Sequence, residues 1–299
     1  MGPVFARGNV FRSVEELIRG AWPTPLLRLR SFEPHNVWAK LEFMNPITHS
    51  IKDRTALALV ESINGGEGVV EVSSGNLAVA LASIVKSRGM DYVAYIPKAS
   101  PRPFKVMLRL MGVKVVEREG NTSTILPEVV NEANRLGYIH PNQFSNPANY
   151  MMHYRFTARE IDEQCRFAGF KPRYVIGSVG TAGHMTGISM YFKERYGDEV
   201  KVIAVQPSVN STIPGIKRLN NGNPFAKLLR VDDVVDVSRE EALMGVRWVA
   251  RGDGLLVGLS SGAVAYAALR LNVDDAVLVF PDDAWKYIDE LELALMNEE

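Results

Sequence analysis

The amino-acid sequence predicts an α/β protein built around parallel sheets. Short apolar runs rich in Val, Ile and Tyr recur along its 299 residues, and the stretches between them place apolar residues at helical spacing over lengths that suit crossover helices. Ligands of such sheets collect at the carboxyl ends of strands, so the turns that follow strands matter most for function.

The first expected strand, 36–42 (NVWAKLE), leads through an Asn-Pro turn to a helix at about 53–63. GVVEV marks a strand at 68–72, and NLAVALASIVK a helix at about 76–86. DYVAYI at 91–96 and VKVVE at 113–117 flank PFKVMLRLM, a helix at about 103–111. A helix at about 125–136 then closes the first series. The stretch 140–149, with two prolines and three asparagines, is irregular and is the expected domain junction. Beyond it, RYVIG (173–177), KVIAVQ (201–206) and DAVLVF (275–280) read as strands. Helices are expected at about 184–194, 239–250 and 261–269. The segment LLVG before residue 259 also reads as a strand.

Composition narrows the function. The length suggests about two domains. With 34 Lys+Arg against 34 Asp+Glu, no basic surplus points to nucleic acid or an anionic membrane as partner. Cys165 is the only cysteine, which excludes an intramolecular disulfide or a Cys-based zinc cage and suits a reducing cytoplasm. The opening MGPVFARGNVFRS has no signal-peptide core, and no apolar run of about 18 residues follows. The sequence ends soon after its last expected helix, so no appended regulatory domain is expected.

Four strand-to-helix turns carry the chemistry. YVIGSVGTAGHMTGISMY (174–191) is a strand, a glycine-rich loop and a helix, an arrangement that aims the N–H groups of Thr181 to His184 at a phosphate. The loop lacks the glycine spacing of a dinucleotide fingerprint and the lysine of a P-loop. GLSSG (258–262) has the form of a hydrolase nucleophile elbow, but all five histidines precede it, so Ser260 is read as a hydrogen-bonding residue. In KLEFMNPITHSIKDR (40–54), Lys52 stands where a helix begins beside a strand end, from which a lysine projects into a cleft. VSSGN (72–76) offers small side chains and free amides to a carboxylate. A lysine amine, a phosphate cradle, a carboxylate loop and a serine around one crevice are what pyridoxal phosphate chemistry requires.

Over nearly its whole length the chain resembles the fold-type II pyridoxal phosphate enzymes, particularly the cysteine synthase and archaeal-type O-phosphoserine sulfhydrylase branch. TPLLRL (24–29), KLEFMNPITHSIKDR, SSGN, NQFSNPAN (142–149), GTAGH (180–184), IPGIKR (213–218) and GLSSG occur in the family's order. The resemblance implies a tryptophan synthase β-like fold of two parallel-rich, three-layer α/β domains with the cofactor in the cleft between them. A smaller, mobile domain would span 36–140, and a larger one 1–35 and 141–299. It also implies a homodimer.

By the same resemblance Lys52 is the Schiff-base lysine, and Asn76 lies beside the ring oxygen of pyridoxal phosphate. Gly180, Thr181, Ala182, Gly183 and His184 form the phosphate cradle, and Ser260 faces the ring nitrogen. Ala182 and His184 stand where the family usually has glycine and threonine, so His184 is either a phosphate ligand or a helix-start residue. A neutral Ser260 cannot hold the ring nitrogen protonated as a carboxylate would, which suits elimination to an aminoacrylate and addition rather than transamination. Ser73, Ser74, Gly75 and Gln143 match the substrate carboxylate site. Leu77 replaces a common threonine there.

The implied reaction is L-cysteine formation from O-phospho-L-serine and sulfide. O-acetylserine sulfhydrylase or cystathionine β-synthase-type activity, serine or threonine dehydration, and a non-catalytic amino-acid sensor are the alternatives, the last disfavoured by Lys52. Lys217 stands where O-phosphoserine-using members carry an arginine for the substrate phosphate, and the neighbouring Arg218 is the other candidate.

Overall fold

The computed structural model describes residues 9–63, 65–219 and 223–296. Helix α1 (Val14–Gly20) and strand β1 (Leu26–Arg28) precede β2 (Val37–Leu41), α2 (Lys52–Glu61), β3 (Gly68–Val72) and α3 (Asn76–Ser87). Strand β4 (Asp91–Pro97), α4 (Arg102–Leu110), β5 (Lys114–Arg118) and α5 (Thr122–Leu136) follow. Next come α6 (Ala148–Met152), a π-helical stretch (His153–Ala158), α7 (Arg159–Phe167), β6 (Tyr174–Ser178), α8 (Gly183–Tyr196) and β7 (Lys201–Pro207). Strand β8 (Asp233–Val237), α9 (Arg239–Asp253), α10 (Leu259–Leu271), β9 (Ala276–Phe280) and α11 (Ile288–Met296) complete the described chain.

The strands form a six-stranded sheet, β1-β2-β9-β6-β7-β8, and a three-stranded sheet, β3-β4-β5. All pairings are parallel except that of β1 with β2. Period-two alternation sorts side chains onto two faces of each sheet. In the larger sheet Leu278 and Phe280 of β9 join Ile176 and Ala263 in one core, while Val277 and Val279 join Val175 and Ile188 in the other. Helices α9 and α10 cover the first face, α7 and α8 the second. In the smaller sheet Val69, Tyr92 and Ala94 pack on the α2 and α3 side, and Val70, Val93 and Tyr95 on the α5 side. Helices on both faces make each unit three-layered.

The long buried strands and most amphipathic helices lie where the sequence places them, within a few residues, but α7 is not among the expected helices. Three expectations need correction. LLVG is not a strand, because α9 ends at the left-handed Gly254, α10 begins after Gly258, and only Val257 bridges, to Asp283. Strand β8 is an addition, its acidic sequence DVVDV suiting a half-exposed edge. Strand β2, assigned by the 36–140 boundary to the smaller domain, pairs with β9 from Val37↔Ala276 to Leu41↔Phe280 and so lies in the larger sheet. The irregular 140–149 segment runs off the β3 edge, where Ile139 bridges Val69, and enters α6.

Cys165 is buried in the core beside α8, and burial pushes its thiol up to about 12, so it is an inert packing residue. No helix among the described residues is long and apolar enough to cross a membrane.

Candidate active site

A cavity of about 460 Å³ collects the carboxyl-end turns of both sheets. Its walls include Lys52, Ser73, Ser74, Gly75 and Asn76, with Gln143, Gly180, Thr181 and Lys217 opposite. These nine sequence-predicted residues therefore share one space. A larger hollow of about 790 Å³, between Trp22, Trp38 and Phe167, holds none of them.

Lys52 is the first residue of α2, and the chain before it is tied to the end of β9. Ile51 N–H donates to Pro281 O at 2.9 Å, Ser50 bridges Asp282, and Lys52 N–H donates to Ser50 Oγ at 3.1 Å. Asp53 braces the turn by accepting from the amides of Ile47 (2.7 Å) and Thr48 (3.1 Å). The Lys52 amine has no hydrogen-bond partner among the described residues. Burial pulls it down to about 8, while the facing Asp282 carboxylate works the other way. An amine that reaches its neutral form near physiological pH is a nucleophile and a proton carrier.

The loop at the start of α3 offers an anion the amides of Ser74, Asn76 and Leu77, which have no partner among the described residues; the Gly75 N–H is taken by Ser73 Oγ at 3.3 Å. A Cβ on Gly75 would approach the Phe104 ring to 3.0 Å, so glycine lets the loop lie flat on that helix. Leu77 is buried in the smaller unit's core and supplies no hydroxyl. Across the cavity Gln143 Nε2 donates to Val72 O at 2.8 Å, and its N–H donates to Glu71 Oε2 at 3.2 Å. Glu71 is fully buried, and burial raises its carboxyl to about 8.

At the glycine loop, Ala182 has φ +66° and is the last residue before α8. The amides of Thr181, Ala182 and His184 have no hydrogen-bond partner among the described residues. A Cβ on Gly180 would meet Gly215 O at 2.7 Å, and one on Gly183 would meet Asn149 Oδ1 at 2.1 Å. Ala182, Gly183, His184 and Ser260 form the layer behind the cavity wall. Nε2 of the buried His184 has no partner among the described residues, and burial, aided by the charge of Lys52, pushes the ring down to about 3.

Ser260 Oγ makes no hydrogen bond among the described residues, whereas Ser261 Oγ donates to Asp282 O at 3.0 Å. A Cβ on Gly215 would sit 3.9 Å from Ser260 Oγ, so Ser260 faces the wall turn and Ser261 does the structural bonding. Lys217 and Arg218 part company: Lys217 lines the cavity, while Arg218 donates to Pro207 O and to Asp236 Oδ2 (2.8 Å) outside it. Arg218 is thereby removed from the candidate substrate contacts, its guanidinium being spent on β7 and β8.

Sequence reasoning missed Asp282 and Tyr287. Asp282 Oδ2 accepts from Asn76 Nδ2 at 2.7 Å and from Tyr287 Oη at 2.6 Å, and Oδ1 pairs with Lys286 at 2.5 Å. The aspartates of PDDAW gave no local signal, because their partners are remote in the chain.

A buried amine and two sets of free amides at strand ends, gathered around one cavity, have the make-up of a cofactor enzyme acting on a small molecule. The profile of the family described as pyridoxal-phosphate dependent enzyme matches residues 17–282, and the chain belongs to that family. It is similar to a cysteine synthase of Staphylococcus aureus, at 28% identity over 92% of this chain and 95% of that one. Among solved structures it is similar to O-ureido-L-serine synthase, with a TM-score of 0.83 and 28% identity over 93% and 94% of the two chains. A hydrogen sulfide-producing enzyme of Fusobacterium nucleatum gives a TM-score of 0.80 and 26% identity over 93% of this chain and 100% of that one. The cofactor is pyridoxal phosphate, and the protein is an enzyme of the cysteine synthase-like group.

The residues present fit that cofactor. Unpartnered amides at a helix start suit its phosphate, the tight approaches at Gly180 and Gly183 keep the cradle clear of side chains, and the free amine of Lys52 suits its aldehyde. Ser260→Ala is expected to weaken cofactor binding by about 0.5–1.5 kcal/mol, the scale of one neutral hydrogen bond. A cofactor titration monitored by absorbance checks it, and an unchanged affinity would return Ser260 to the packing residues.

Proposed function

We propose that the protein forms L-cysteine by β-replacement of an activated serine with sulfide, and that O-phospho-L-serine is its preferred donor. The supporting observation for the donor is Lys217. Its ammonium stands on the cavity wall with Thr122 Oγ1 at 2.5 Å and the Phe144 ring 5.9 Å away, and no carboxylate lies within ion-pair distance among the described residues. Burial lowers its proton affinity. Lys217 is solvent-accessible on the cavity wall and carries no counter-charge among the described residues, and a substrate phosphate dianion would supply one.

In this reading Lys52 carries the cofactor and moves the proton at the substrate Cα. Asn76 would serve the cofactor ring, Ser260 its nitrogen, and Gly180 to His184 would hold its phosphate. Ser73, Ser74, Gly75 and Gln143 hold the substrate carboxylate, and the unit built on β3-β4-β5 closes over it. Pyridoxal phosphate, when bound, supplies the electron sink for loss of the leaving group. Two copies of the chain form the working enzyme.

The test gives purified, cofactor-loaded protein sulfide with O-phosphoserine, O-acetylserine or serine, and measures cysteine, phosphate and pyruvate. Cysteine and phosphate in equal amounts, fastest from O-phosphoserine, are expected. Pyruvate without cysteine would move the enzyme to the dehydratases. Lys217→Ala should lower kcat/KM for O-phosphoserine about tenfold or more, equivalent to roughly 1.4 kcal/mol, and leave O-acetylserine turnover nearly unchanged. Equal losses for both donors would assign Lys217 to cavity closure instead.

A further inference from the structure

Asp282 lies two residues beyond the end of β9 with its carboxylate buried, and several hydrogen bonds fix its place. Its carbonyl accepts from Gly258 N–H at 3.0 Å and Ser261 Oγ at 3.0 Å. Its Oδ1 accepts from Asp283 N–H at 2.9 Å and Lys286 at 2.5 Å, and its Oδ2 from Tyr287 Oη at 2.6 Å. Onto this rigid acceptor comes Asn76 Nδ2, at 2.7 Å, from the first turn of α3. The contact joins the two units across the cavity, 206 positions apart in sequence.

We propose that Asp282 is a positioning residue of the reaction, turning the Asn76 amide to a single orientation beside the cofactor ring and presenting its own charge to the amine of Lys52. The inference rests on Lys52 and Asn76 serving the cofactor. A carboxylate only accepts hydrogen bonds, so it selects the NH₂ end of the amide and turns Oδ1 away. Asn76 Oδ1 is indeed buried without a partner among the described residues. One Nδ2 hydrogen is thereby spent, and the other, with Oδ1, is left for a ligand. A neutral group at 282 would accept either face of the amide and lose the selection.

The same carboxylate is the counter-charge that faces Lys52. Of the other titratable side chains near Lys52, burial keeps the His153 ring well below its ordinary value and His184 down at about 3, while Asp53, raised by burial to about 6, spends its carboxylate on the amides of Ile47 and Thr48. Lys286 is shared between Asp282 and Asp283, and the latter also holds His49 Nδ1 at 3.0 Å. Asp282 thus opposes the burial that makes Lys52 give up its proton.

The test uses the full chain freed of cofactor, so that it does not depend on where the cofactor attaches. The pH dependence of Lys52 labelling by an amine-reactive reagent, read by peptide mapping, should have its midpoint near 8 in the wild type. Asp282→Asn keeps the shape and an acceptor oxygen, and should lower that midpoint by about one unit. An unchanged midpoint in a folded variant would overturn the proposal, since a merely structural Asp282 would not move it. Asp282→Ser makes the same test with less bulk. The wild type gives a measurement that needs no variant: the two Nδ2 hydrogens of ¹⁵N-labelled Asn76 should exchange with water at clearly different rates, and equal rates would show that the amide is not held.

Discussion

Lys52→Ala is expected to lower cysteine formation by about a thousandfold or more while leaving a folded protein that still takes up pyridoxal phosphate. The size follows from the proton transfer lost, worth about 10²–10⁴ in rate, together with the covalent attachment that the amine provides. Binding persists because the amides of Thr181 to His184 and the tight turn at Gly180 do not depend on the lysine. Lys52 is partly open to the cavity and its neighbours are tied to β9 through backbone contacts, so the alanine leaves the turn intact. Steady-state turnover beside a cofactor titration separates the two effects. Loss of binding as well would show that the cradle alone is too weak to hold the phosphate. In the wild type, cofactor capture by the cofactor-free protein should speed up as pH rises through about 8, where Lys52 becomes neutral and nucleophilic.

The second large effect lies beneath α2. Glu42 accepts from Arg54 Nε at 2.7 Å and Nη2 at 3.0 Å, and both side chains are fully buried. Arg54 also reaches Glu160 at 2.7 Å and lies 4.4 Å from the Trp22 ring centroid, and Lys40 pairs with Glu160 at 2.7 Å. Burial would raise the Glu42 carboxyl, but Arg54 and Lys40 outweigh it and hold it below the ordinary range. Glu42→Ala leaves two buried cations with one carboxylate, and should cost about 3–5 kcal/mol in a denaturant titration. The stability this carboxylate lends is present above the ordinary glutamate value and fades as pH falls through its depressed one. A loss under about 1 kcal/mol would mean that Glu160 alone compensates the cluster. Since Arg54 stands one half-turn from Lys52 on α2, this network is also what fixes the helix that carries the amine.

What could be read from the sequence follows from how local each signal is. Strands β3 and β9 are buried along their whole length, so GVVEV and AVLVF stand out as apolar runs. Strand β8 hid because an edge strand tolerates aspartates, whereas β1, whose three residues carry no period, was legible only through the resemblance of TPLLRL to the family's opening strand. Within the site, Lys52, the SSGN loop and the glycine cradle were legible because each is a turn whose residue types encode its shape. Lys217 and Arg218 were indistinguishable until the backbone turned one inward and the other toward Asp236. Asp282 lay beyond reach, since its meaning comes from Asn76 and Lys52, which only the tertiary fold brings to it.

Lys52 is the residue through which the cofactor should be attached. Borohydride reduction of the cofactor-loaded protein, followed by proteolysis and mass mapping, should place a single pyridoxyl group on Lys52. A pyridoxyl group found on Lys217, or on any lysine outside the cavity, would contradict the assignment of this site.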